Sequence, residues 1–68
     1  MKTFYDVQQL LMGYGIVIYF KDELDTIEMM KQELKGLHDA MLISHQDYIQ
    51  ANLILNQRSI QNGTYFSS

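Results

Sequence analysis

The chain is predicted to be all-α, a compact three-helix bundle with a short extended connector between its first and second helices. Three observations lead there. Apolar residues recur at helical spacing, a capping residue stands ahead of each of three segments, and the one strand-like run has no second run to pair with.

The first helix is placed at Phe4 to Met12. Thr3 is its expected N-cap, with Asp6 three residues on as a short-armed capping box, and Gly13 stands where a helix C-terminus favours a left-handed residue. At roughly 100° per residue, Phe4, Val7 and Leu11 share one face with Leu10 beside it, the stripe that a small bundle buries.

Tyr14-Gly15-Ile16-Val17-Ile18-Tyr19-Phe20 is β-branched, aromatic and continuous, so its local preference is extended. Lacking a partner strand, it is expected to lie across the helices and complete the core with its apolar residues.

Asp22 or Asp25 caps the second helix. Asp22, Glu23, Asp25 and Glu28 load its first half with negative charge while Lys31 and Lys35 come later, as the helix dipole favours. Ile27, Met30, Leu34, Leu37 and Met41 form an uninterrupted packing seam, and Gly36 weakens the interior by about 1 kcal/mol relative to alanine. Ser44 with Asp47 marks a new start, and a third helix is expected from His45 to about Ile60, ended by Asn62-Gly63. Its apolar residues spread widely: Ile49, Leu53 and Ile60 on one face, Tyr48 and Leu55 round from it, Ala51 and Ile54 beyond. Apolarity nearly all round predicts that helix three is the most buried. One domain, residues 1–62, is expected, followed by a flexible C-terminal tail over 63–68.

Sixty-eight residues without cysteine sit near the lower size at which one core holds unaided. Missing cysteine fits a reducing compartment, no signal peptide is visible, and the longest apolar run, Ile16 to Phe20, is too short to span a bilayer. The expected location is cytoplasmic, with no membrane partner. A formal net charge of −3 gives no global attraction to nucleic acid, so any such binding must be local.

The residues give catalysis little footing. His38 and His45, near Asp39 and Asp47, are not at a same-helix ligand spacing, and no metal or other cofactor is expected. Ser44, His45 and Asp47 have the residue types of a triad, but capping already explains Ser44 and Asp47, and three short helices enclose few pockets. No phosphate-cradling glycine pattern occurs, and no small-molecule substrate is expected. The chain is read as no enzyme.

Two binding readings remain. Lys31, Lys35 and His38 cluster beside the second helix's seam, where Tyr14 and Tyr48 could add stacking surfaces, as single-stranded DNA or RNA would require. Met29, Gly36 and Ala40 lie on the other side of that helix, and two small residues there suit close approach by another protein or a second copy, as helix three also would.

The run Phe4-Tyr5-Asp6-Val7-Gln8-Gln9-Leu10-Leu11 with Tyr14-Gly15, then Ile27, Glu28, Met30, Glu33, Leu34 and Leu37, and later Asp47-Tyr48, Ala51 and Leu53-Ile54-Leu55, resembles the YqgQ-like family of small bacterial cytosolic proteins of unknown function. The resemblance covers about residues 2 to 58. It implies a compact three-helix bundle and no known enzymatic activity, with single-stranded nucleic acid binding suggested for the family. The reading that results is a non-enzymatic cytosolic module binding single-stranded nucleic acid weakly; the alternative is an adaptor or homodimer acting through an apolar helix face.

Overall fold

Three capping residues start three helices in the computed structural model, which describes residues 1–63. They are α1 (Phe4–Met12), α2 (Glu23–Asp39) and α3 (His45–Gly63), and no strand is present among the described residues. Thr3 Oγ1 accepts from the Asp6 amide at 3.2 Å while Asp6 Oδ2 accepts from the Thr3 and Lys2 amides at 3.1 and 2.8 Å, so the expected capping box forms. For α2 the cap is Asp22, which accepts from the Leu24 amide, and Asp25 falls inside the first turn. Ser44 Oγ accepts from the Asp47 amide at 3.0 Å and opens α3, which runs on to Gly63 rather than stopping near Ile60. Of the expected tail, everything after Gly63 lies outside the described residues.

The left-handed residue after α1 is Gly15 (φ +76°), not Gly13, whose φ of −61° is right-handed. The Ile16 amide donates to the Leu11 carbonyl and the Gly15 amide to that of Met12, the bond pair of a Schellman ending. After α2 the same pair recurs, from Leu42 to Leu37 and from Met41 to His38, and here a methionine takes the left-handed place, at φ +62°. Met41 therefore leaves the seam it was expected to join and is 89% exposed.

The core is Val7 and Leu11 of α1, Ile27, Met30, Leu34 and Leu37 of α2, Ile43 of the turn, and Ala51 and Leu55 of α3. α3 packs mainly along α2 and less along α1. The expectation that α3 is the most buried helix is wrong: α2 has that place, and on α3 Ile49, Leu53 and Ile60 are 51%, 57% and 62% exposed. The face that packs is Tyr48, Ala51 and Leu55, continued by Arg58, whose Nε and Nη2 each donate to Glu23 at 3.0 Å while its guanidinium lies 4.6 Å over the Phe4 ring. The ion pair joins α2 and α3, the ring contact adds α1, and the hydrogen bonds that Arg58 donates to Glu23 raise the Arg58 pKa further.

The connector enters the core by halves. Ile16 and Ile18 pack inward, whereas Val17 and Tyr19 point to solvent at 77% and 85% exposure, the alternation of an extended chain. Its end is pinned by the buried Thr26 hydroxyl, which accepts from the Phe20 amide at 2.9 Å and lies 3.3 Å from the Phe20 and Asp22 carbonyls, either of which can take its proton.

Candidate functional site

The α2–α3 turn brings together several of the residues singled out in the sequence. His38 stacks on Tyr48, with centroids 4.3 Å apart and planes 15° from parallel, and its Nε2 lies 3.1 Å from Nδ1 of His45. Tyr14 reaches the same turn from the turn that follows α1, donating its hydroxyl to the Leu42 carbonyl at 2.7 Å. Charge at this corner is largely cancelled. Lys35 Nζ meets Asp39 at 3.0 Å, which raises the lysine's pKa and holds the carboxyl below the usual range, and Lys31 lies 4.0 Å from Glu28.

Lys31, Lys35, His38, Tyr14 and Tyr48 thus share a region, but most of them are engaged. One face of Tyr48 is covered by His38, and each lysine has a carboxylate beside it. Ser44, His45 and Asp47 form no relay: the serine hydroxyl caps α3, and His45 faces His38. No group of three or more metal-ligating side chains gathers among the described residues.

On the opposite side of α2, Gly36 and Ala40 are exposed and Met29 is half-buried. A Cβ added at Gly36 would meet nothing within 4 Å, so the glycine answers no crowding inside the chain. The larger uncovered apolar face belongs to α3. Ile49 and Leu53 stand there among Gln46, Gln50, Asn56 and Gln57, with no charged side chain between them.

Sequence reasoning missed the surface made by α1 and the connector. Gln8 links two shallow depressions along it: one of about 200 Å³ between Tyr5, Met12, Val17 and Ile18, the other of about 180 Å³ bordered by Phe4, Tyr19, Phe20 and Lys21. Tyr5, Tyr19 and Phe20 are all exposed. Among the described residues no carboxylate lies within ion-pair distance of the Lys2 or Lys21 side chain. No hydropathy signal marked it, because Ile16-Val17-Ile18-Tyr19 is apolar throughout; only the rule that an extended chain turns successive side chains to opposite sides pointed to an outward row.

No helix among the described residues is long and apolar enough to cross a membrane. The chain is 41% identical to uncharacterized protein YqgQ of Bacillus subtilis (strain 168), over 97% of its own length and 96% of that protein's. The YqgQ-like family profile matches residues 1–61, which take in the capping box, the α2 seam and nearly all of α3; the chain belongs to the YqgQ-like family.

Proposed function

We propose that the chain is a non-catalytic module that binds single-stranded nucleic acid, and that the strand lies along α1 and the connector rather than at Lys31, Lys35 and His38. The observation that carries this reading is the outward display of Tyr19 next to Phe20 and Lys21. At 85% exposure the Tyr19 ring buries little surface in the bundle, while the backbone of the next residue, Phe20, is held by Thr26. Base stacking on such a ring is worth about 1–3 kcal/mol, and every base offers a face, so binding would be tolerant of sequence. Lys21 on this surface and Lys2, which lies beside Phe4 on the side toward α3, supply the backbone contacts. Glu23, which borders the second depression, is turned to Arg58, although the net charge of −3 still opposes a polyanion and keeps affinity low.

Fluorescence anisotropy of a labelled oligothymidylate across a salt series tests this. Two phosphate contacts predict a log–log salt slope of about −1.4 for a single strand. Tyr19→Ala should weaken binding at least fivefold, and Lys31→Glu with Lys35→Glu should matter less than Lys2→Glu with Lys21→Glu. Absence of binding at low salt would remove the proposal.

A second reading is favoured by the charge-free Ile49 and Leu53 face of α3, since interface centres are depleted in charge and a second copy offers the same face around a two-fold axis. Sedimentation would then give a dimer that Leu53→Glu dissociates; a monomer at high concentration refutes it.

A further inference from the structure

His38 and His45 stand seven residues apart, and the left-handed turn at Met41 folds them onto each other, with His38 Nε2 and His45 Nδ1 at 3.1 Å. From this pair the geometry points to a binding site for one late first-row divalent ion, such as Cu²⁺, Ni²⁺ or Zn²⁺, held between these two nitrogens. Water completes its coordination.

Distance is the first argument. With metal–nitrogen bonds of about 2.0–2.1 Å, two neighbouring ligand nitrogens are about 2.9 Å apart at a right angle and about 3.3 Å apart at the tetrahedral angle. The observed spacing falls between the two, so the backbone already holds the imidazoles at a chelating separation. An ion bound this way sits about 1.3 Å off the line joining the nitrogens, and the lone pairs must turn outward to meet it. His45 is exposed and can turn; the wide, open depression of about 470 Å³ beside the pair, lined by His38, Asp39, Met41, Ile43 and His45, gives the ion and its waters room.

Orientation is the second. Tyr48 stacks on the His38 ring and fixes its plane. Asp39 Oδ1 lies 3.5 Å from His38 Nδ1, on the side away from the proposed ion, where it favours the tautomer that leaves Nε2 bare. This carboxylate–imidazole arrangement is the usual support behind a metal-bound histidine. Donor chemistry sets the class of ion: imidazole suits copper, nickel and zinc, whereas calcium and magnesium require oxygen ligands. The exposed Met41 lines the same depression with a thioether, a further soft donor. With two protein nitrogens rather than four ligands, the ion would be exchangeable and would not be needed for folding.

Titration of the full chain, freed of any histidine tag, with Zn²⁺ and with Cu²⁺ near neutral pH tests the proposal by calorimetry and by the histidine ring-nitrogen resonances. One ion per chain is expected, with His38 Nε2 and His45 Nδ1 shifting together and Mg²⁺ producing no change. His45→Ala, at an exposed position, should weaken binding roughly tenfold or more while leaving the helical spectrum intact, and Asp39→Asn should weaken it to a smaller degree. The absence of saturable binding would mean that the pair is only an imidazole–imidazole hydrogen bond. Binding unchanged in His45→Ala, or located at the terminal amine, would equally overturn the assignment.

Discussion

Replacing Met41 with glycine should make the protein more stable, although it removes a large apolar side chain. The position has φ +62°, a left-handed conformation that costs an L-residue roughly 1–2 kcal/mol and glycine almost nothing. Little is lost in exchange, because at 89% exposure the side chain buries almost no surface. Glycine's greater freedom in the unfolded chain returns about 0.5–1 kcal/mol of the gain. The net is a stabilisation of about 0.5–1 kcal/mol, which in a domain of this size raises Tm by about 2–8 °C. Thermal unfolding followed by circular dichroism at 222 nm, with urea unfolding beside it, measures this directly. The Schellman bonds from Leu42 to Leu37 and Met41 to His38 are backbone bonds and survive the change. A lower Tm would refute the reasoning, by showing either that Met41 packs against something or that the turn is not left-handed.

Other substitutions probe the remaining parts of the account. Thr26→Val keeps the shape but leaves the Phe20 amide without its acceptor, so stability should fall by about 1–3 kcal/mol in urea unfolding; an unchanged midpoint would mean that the connector is not held by this hydroxyl. Gly36→Ala should add about 1 kcal/mol, because the new Cβ meets nothing within 4 Å, and a loss of stability would reveal a neighbour on that face. The Asp6 carboxyl is held below its ordinary pKa, chiefly by the Lys2 amide and then by that of Thr3. Its stabilisation is therefore present above the unfolded carboxylate's pKa and lost as pH falls through the depressed folded value. Asp6→Asn should flatten the acid limb of a stability–pH curve below about pH 4, and an unaltered limb would contradict the capping box.

Local chemistry was legible in the sequence where one residue decides the outcome. Thr3, Asp22 and Ser44 cap because their side-chain oxygens reach amides two or three residues on, a matter settled within one turn. The α2 seam was legible for a different reason: Ile27, Met30, Leu34 and Leu37 contrast with charged neighbours, which leaves one possible inward face. On α3 that contrast is missing. Ile49, Leu53 and Ile60 are as apolar as Tyr48, Ala51 and Leu55, and the choice between the two faces falls to tertiary partners: Ala51 and Leu55 join the common core, and Arg58 at the end of the same stripe finds Glu23 and Phe4. The connector was half legible: its extended preference was plain, but a run apolar at every position does not show which side chains turn outward, and Val17 and Tyr19 do. The histidines straddle the break between two helices and were discounted for want of a same-helix ligand spacing, and it is the turn at Met41 that brings the two imidazoles together.

A titration of ¹⁵N-labelled protein with oligothymidylate at low salt, followed residue by residue, tests the proposed interface most directly. Amide shifts should concentrate between residues 2 and 8 and between 17 and 23, with Tyr19 and Phe20 among the largest. Shifts centred instead on Lys31, Lys35 and His38, or none at millimolar oligonucleotide, would contradict it.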